Sequence, residues 1–350
     1  IVLARRLVEL VARIPGDTAP LTRVFYSDAG STAVEVALKI AFQHHQQRGR
    51  TERTRFAALT EAYHGDTIGS VSVGGIDLFH EIYRPMLFDA VRLPAPDRPD
   101  PADEAACLTE VERQLAAHGS ELAAVVLEPL VQGAAGMRMH SADYLRAVVR
   151  MARDAGALVI VDEVATGFGR TGTMFALEQA GVRPDLLCVA KGITGGLLPL
   201  AATLVTEDVF DAFRGPYPEY RTFFHGHTYT GNALACAAAL ANLDVFESDD
   251  VLGTLPGRIA ALTTALHAHL PAAHVAEVRQ RGLMTGIVLR HDRAPADRTA
   301  HRVALACRRH GAVVRPLGDV IVLMPPLAME PADLDALVRA VSAAMVDVLG

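Results

Sequence analysis

Lysine is poorly suited to end a buried strand, yet the stretch LLCVAK, residues 186–191, does so and runs directly into a glycine turn, GITGG. Desolvating an ammonium is costly, so a lysine placed there either reaches water or uses its amine. In an apolar pocket its pKa falls, and the free amine can attack a carbonyl to form a Schiff base. Two more polar features end strands of the same kind. Asp162 closes ALVIVD, and the turn SDAGSTAVE (27–35) joins RVFYSD to a helix. Open α/β sheets bind ligands outside the carboxyl ends of their strands, so all three belong at one edge.

A lysine, an acid and a helix N-terminus at one sheet edge suit pyridoxal phosphate. That cofactor needs a Schiff-base lysine and an acidic partner for its pyridine nitrogen. Its phosphate needs backbone N–H donors at a helix start, where Gly30 permits close approach and Ser31 offers a cap-like hydroxyl. Tyr63, in EAYHG after a strand, could stack on a planar ring. Taken singly, each has a plainer reading. Lys191 could be a snorkelling surface lysine, Asp162 a helix cap beside a solvated Glu163, the DAGS turn an ordinary junction, and Tyr63 packing. Their combination at successive strand ends favours the cofactor.

The elements that must position them follow from the apolar pattern. Short apolar runs at 23–28, 55–63, 123–130, 157–163, 186–191 and 200–206 alternate with helices at 31–45, 104–117 and 141–155. Strands so uniformly apolar are covered on both faces, which predicts a mostly parallel central sheet flanked by helices. A Pro-rich connector occupies 93–103. After a helix at 230–247 come helices at 255–270, 297–310 and 331–348 around strands at 274–282, 283–290, 312–317 and 319–327. The expected organisation is a large cofactor-binding domain, 1–245, and a smaller α+β domain, 246–350. The chain opens inside a helical pattern, IVLARRLVELVARIPG, with no N-cap, so a further N-terminal segment is expected upstream.

Composition narrows the partners. The 350 residues are 51% hydrophobic, and 33 basic against 40 acidic residues give a net charge of −7. That argues against nucleic acid or an anionic membrane and for small-molecule substrates. Four separated cysteines suggest neither a disulfide framework nor a zinc site, and imply a cytoplasmic setting. No bilayer-spanning run or signal-peptide pattern is present. The pairs His225/His227 and His267/His269 lack companions at metal spacing, so no metal is expected.

Seven segments, FYSDAGSTAVEVALKIAFQ, EAYHGDTIGSVSVGGIDLFH, LEPLVQGAAGM, VDEVATGFGRTG, AKGITGG, FFHGHTYTGNALACAAAL and VVRPLGDVIVLMPPL, resemble the class III pyridoxal-phosphate-dependent aminotransferases in order and along the whole chain. The resemblance implies the fold type I architecture of those transferases, with Lys191 as Schiff-base lysine and proton shuttle, Asp162 on the ring nitrogen and Tyr63 stacked on the ring. It implies Gly30 and Ser31 at the phosphate, and Thr228 reaching the phosphate of a neighbouring subunit, hence a homodimer with shared sites. Arg315 would receive a substrate carboxylate, which a guanidinium grips with two parallel bonds, and Arg170 would be a second substrate contact. Plainer readings stand beside these: Arg315 as an ion-pair partner, Thr228 as a cap for the following helix.

Within the class, Gln132-Gly133-Ala134 lacks the Q-G-E glutamate typical of ornithine and 4-aminobutyrate aminotransferases, and Ala165 replaces the glutamine of D-E-V-Q. Both point to the branch that aminates 8-amino-7-oxononanoate in biotin synthesis, with S-adenosylmethionine or lysine as donor. Leu317 and Val322 stand where some members of that branch carry aromatics, so the donor stays open. The rival is another ω-aminotransferase using a different amine and a keto acid; an aminomutase or a non-catalytic cofactor-binding subunit follows behind. A nicotinamide site is disfavoured because no G-x-G-x-x-G follows a strand.

Overall fold

The computed structural model describes residues 1–16, 18–76 and 81–350. Residues 77–80, the end of the GGIDLFH motif, lie outside the described residues. Contacts divide the chain into two compact units: residues 1–132, 139–168 and 175–244, and residues 133–138, 169–174 and 245–350. Two short segments from the N-terminal half therefore group with the C-terminal unit, which a linear division near residue 245 does not capture.

The larger unit is built on seven strands: Leu21–Ser27 (β1), Arg55–Leu59 (β2), Val91–Leu93 (β3), Leu122–Leu127 (β4), Leu158–Asp162 (β5), Leu186–Val189 (β6) and Ala201–Thr206 (β7), in the order β1-β7-β6-β5-β4-β2-β3. β3, β2, β4, β5 and β6 pair in parallel, and β7 runs antiparallel to both β6 and β1. β4 is buried at every residue, which is why its sequence, LAAVVL, shows no polar alternation. The edge strand β3 is only three residues long and precedes the Pro-rich connector.

Helices cover the sheet. Gly30–Gln47 (α2) follows the first helix, Val2–Val11 (α1), and buries Ala33, Val34, Ala37 and Ala41 in one cluster with Phe56, Ala124, Ile160 and Cys188. Ile68–Val73 (α3) is a short helix inside HGDTIGSVSV, where the sequence shows only a polar loop opening. Pro101–His118 (α4) starts earlier than its apolar pattern indicates, because Asp100 accepts from Ala102 N and Asp103 N with Pro101 in the first turn. Ala142–Asp154 (α5) is capped by Ser141 and packs against β5. Ala233–Ser248 (α6) closes the unit, and the division between units falls inside it.

In the smaller unit, Val275–Arg281 (β8), Met284–Leu289 (β9), Arg315–Leu317 (β10) and Val320–Leu323 (β11) form an antiparallel sheet in the order β8-β9-β11-β10. Val251–His269 (α7), Thr299–Cys307 (α8) and Pro331–Leu349 (α9) enclose its core with Leu262, Ile287, Val303 and Val338. Among the described residues no helix is long and apolar enough to cross a membrane.

Register explains the site. Leu127 pairs Val161, Asp162 pairs Cys188, Val189 pairs Ala202, and Ala201 pairs Ser27. The ends of β1, β4, β5 and β6 thus reach one edge. Because Leu186 lies fully buried in the cluster shared with α2, Leu186→Ala should cost about 2–5 kcal/mol. Urea denaturation of the purified chain measures it.

Candidate active site

Asp162 is the last residue of β5 and only 6% exposed. A carboxylate buried this far needs partners on both oxygens. Oδ1 accepts from Val164 N at 2.9 Å, and Oδ2 meets His64 Nδ1 at 2.9 Å. A carboxylate without its proton can only accept, so His64 Nδ1 is the donor to it. His64 is itself buried, and its Nε2 has no partner among the described residues. No local pattern marks this contact: the two residues lie 98 positions apart, and His64 merely follows Tyr63.

The Tyr63 loop is fixed from three sides. Tyr63 N donates to Glu128 at 3.1 Å, and its hydroxyl donates to Asp66 at 2.9 Å. Gly65 has φ +117°, and a Cβ there would lie 2.3 Å from Ser31 Cβ. Only glycine suits that backbone and that approach. The Tyr63–Gly65 loop therefore lies directly on the start of α2.

That helix start differs in detail from the expectation. Ala29 occupies the cap position, and Thr32, not Ser31, supplies the capping hydroxyl, accepting from Ala29 N at 3.1 Å. Ser31 is the second residue of the helix. Gly30 is required first by packing: a Cβ would sit 2.6 Å from Val164 Cγ1. So Gly30 also makes room for the residue that holds Asp162. The N–H groups of Gly30, Ser31 and Thr32 have no intrahelical acceptor and face outward at the positive end of an 18-residue helix.

Lys191 opens the turn after β6, three residues past the one that pairs Asp162. It is exposed, not enclosed in an apolar pocket as its strand suggests. It borders an open cavity of about 340 Å³ whose wall includes Asp28, Ala29, Gly30, Leu197, Leu198 and Pro199. Its φ is +45°, a left-handed backbone unusual for a branched or long side chain. Strain of this kind persists where surroundings over-determine it.

Glu163 departs furthest from the sequence reading. It is fully buried, not solvated, accepting from Thr166 Oγ1 at 2.6 Å and Leu177 N at 2.9 Å. Burial pushes its carboxyl up to about 7. Thr228 is exposed in a turn and, among the described residues, makes no hydrogen bond; the following helix is capped by Asn232, which accepts from Leu234 N and Ala235 N. The loop before it rests on α2 through Lys39 Nζ, which donates to His225 Nδ1 at 3.0 Å, and through Gln43 and Gln47.

In the smaller unit, Arg315 begins β10, is exposed, and pairs with no carboxylate among the described residues. Arg170 is half-buried and donates through Nη1 to Pro325 O at 2.5 Å, while burial draws its pKa down. At least one edge of that guanidinium therefore holds its own loop.

Residues 2–345 match the family described as Aminotransferase class-III. The chain belongs to the class-III aminotransferases. It is 57% identical, over 97% of its length, to the adenosylmethionine-8-amino-7-oxononanoate aminotransferase of Nitratidesulfovibrio vulgaris, spanning 66% of that protein. The Geobacter sulfurreducens protein of the same name is 50% identical over 97% of the chain and 76% of the relative. Among solved structures, that of the Methanocaldococcus jannaschii protein of this name superposes with a TM-score of 0.91 at 39% identity, covering 99% of this chain and 79% of that one. An amine transaminase from an uncultivated Pseudomonas species, solved in its pyridoxal-phosphate-bound form, gives 0.90 at 37%, covering 99% and 80%.

Class-III aminotransferases depend on pyridoxal phosphate. The donor set of this aminotransferase fits that group: outward N–H groups at α2 for a phosphate, a partnered buried carboxylate for a ring nitrogen, and an exposed amine beside them. The glycine contacts at Gly30 and Gly65 show the cradle is built tightly, since a methyl at either place collides with Val164 or Ser31.

Folding raises the Glu163 pKa, so the native state holds a proton the unfolded chain loses near 4.5. The stability this carboxyl contributes is full below about 4.5 and is lost as pH rises through about 7. Glu163→Gln should flatten that decline, which denaturation midpoints across the same pH range will show.

Proposed function

We propose that this chain transfers an amino group to 8-amino-7-oxononanoate, giving 7,8-diaminononanoate for biotin synthesis, with S-adenosylmethionine as donor. One observation carries the reading: a buried aspartate ends one parallel strand and a lysine opens the turn after its neighbour, in a chain 57% identical to a protein named for that reaction. The donor is taken from the relatives' names, and lysine is its alternative.

In this reading Lys191 would hold pyridoxal phosphate through its amine and, once that amine is free, would take and return the proton of the substrate carbon. When bound, pyridoxal phosphate supplies the electron sink that stabilises carbanionic character at that carbon. Asp162, whose oxygens accept from Val164 N and His64 Nδ1, would hold the cofactor's ring nitrogen. The α2 N-terminus, with Gly30 and Ser31, would hold the phosphate, and Tyr63 would pack on the ring. Arg315, free of any ion pair among the described residues, receives the far carboxylate of the keto substrate, and Arg170 orders the loop beside it.

A second copy completes the site in the cytoplasm. Leu197, Tyr217, Phe224, Tyr229 and Leu234 are all more than 60% exposed, and Leu197 borders the same cavity as Lys191. Large apolar side chains left bare in this number favour burial against a partner. Thr228, with no hydrogen bond among the described residues, is then available to the neighbour's phosphate.

The test is product formation by the loaded enzyme from 8-amino-7-oxononanoate, with S-adenosylmethionine or L-lysine supplied separately and diamine detected by mass spectrometry. Turnover with S-adenosylmethionine upholds the proposal, and turnover with lysine alone corrects the donor. Amination only of other ketones moves the chain to a different ω-aminotransferase activity. Lys191→Ala should abolish turnover in every case. Arg315→Lys should raise KM for the keto acid by about tenfold with little change in kcat, because a single ammonium replaces a two-pronged grip.

A further inference from the structure

Lys191 sits in a strained backbone, and one side chain outside the set above is built to hold it there. Asn242, on α6, donates from Nδ2 to Gly192 O at 2.9 Å and to Ile193 O at 3.2 Å. These are the first two carbonyls after Lys191. Gly192 O also accepts from Gly195 N at 3.1 Å, which closes the turn on itself. The turn is walled on two sides. A Cβ at Gly192 would lie 2.8 Å from Phe168 Cβ, and one at Gly195, itself at φ +62°, would lie 2.8 Å from Asn242 Oδ1.

A lysine at φ +45° gains nothing locally from that conformation, and release of the following carbonyls would let it rotate towards the right-handed region. Such a rotation redirects Cβ and carries the amine at the end of a four-carbon stem away from the sheet edge. Two consecutive carbonyls held by one amide remove that freedom. Asparagine is suited to this: aspartate would oppose the carbonyls with acceptors, and leucine has the size but no donor.

We propose that Asn242 is a positioning residue for the reaction, fixing the backbone of Lys191 so that its amine meets the cofactor and substrate in a productive geometry. This rests on the reading of Lys191 as the cofactor lysine.

The experiment uses the loaded enzyme with Asn242→Leu, Asn242→Asp and Asn242→Gln. Three quantities are measured: kcat and KM for the keto acceptor, the pH midpoint of the cofactor's visible band, and thermal melting without cofactor. Loss of both bonds should lower kcat about tenfold in the Leu and Asp variants at unchanged KM. The band's pH midpoint should move in both, the cofactor-free melting temperature should hold, and the Gln variant should recover part of kcat. An unmoved midpoint and kcat overturn the proposal. So does a kcat that falls only in step with melting temperature, which marks a purely structural bond. If Leu does not fold, the Asp and Gln pair decides by the same criteria. Borohydride reduction of the unaltered enzyme, followed by peptide mass spectrometry, separates the two levels. Label on Lys191 leaves Asn242 alone at issue, whereas label elsewhere overturns the lysine reading and this one with it.

Discussion

A carboxylate that is nine-tenths buried at the end of a strand has to be solvated by the protein, and the architecture of the larger unit is organised around that requirement at Asp162. Val164 N supplies one bond, which needs the chain to turn sharply after β5. His64 supplies the other, which needs the loop after β2 to reach across β4 to β5. That loop in turn depends on Gly65 to lie flat on Ser31, and the turn after β5 depends on Gly30 to leave room for Val164. One buried charge thus fixes the relative placement of three segments far apart in sequence.

The same edge is tied to α2 from beneath. Asp162, Cys188 and Thr203 are successive register partners across β5, β6 and β7, so their side chains share a face. Thr203 Oγ1 donates to Ala33 O at 2.8 Å, and Cys188 Sγ approaches the same carbonyl at 3.5 Å. The carbonyl lies in the first turn of α2. The helix therefore cannot slide along its axis without breaking a buried bond, and its N–H groups stay at a constant height relative to Asp162. Burial, then the Asp162 charge, pushes the Cys188 thiol well above its ordinary pKa, so it serves as a small apolar neighbour. The distance between the positive end of α2 and the buried acid is a property of the sheet, not of any ligand.

Much of this was legible in the sequence because it follows local rules. Apolar runs bounded by turns marked the central strands, 3.6-residue spacing marked the helices, and polar residues at strand ends marked Lys191 and Asp162 as exceptions needing a reason. What was not legible depends on partners distant in sequence. His64 looks like a loop residue until β2 and β5 are placed in one sheet. Glu163 looks like the solvated half of an Asp-Glu pair. Alternation then turns it away from Asp162, into a pocket closed by Thr166 and Leu177. The strand at Val91–Leu93 is too short to show a period, and the first turn of α4 was hidden because proline reads as a breaker although it suits a helix start. Thr228 and Asn232 show the same limit: both are good caps by residue type, and only geometry selects Asn232.

The exposure of Lys191 is where pattern and structure disagree most usefully. A strand buried at all four residues suggested a buried lysine, yet the amine is in the open and the constraint falls on the backbone instead. A nucleophilic lysine can be prepared either by desolvating its amine or by restricting where the amine can go, and the two make different demands. Desolvation needs apolar walls, which here would have to come from what covers the cavity by Leu197 and Leu198. Restriction needs only the turn itself, and Asn242, Phe168 and the glycines at 192 and 195 provide it within one chain. On the proposed reading of Lys191, the turn carries the positional half of the preparation, and the electrostatic half falls to whatever closes over that edge.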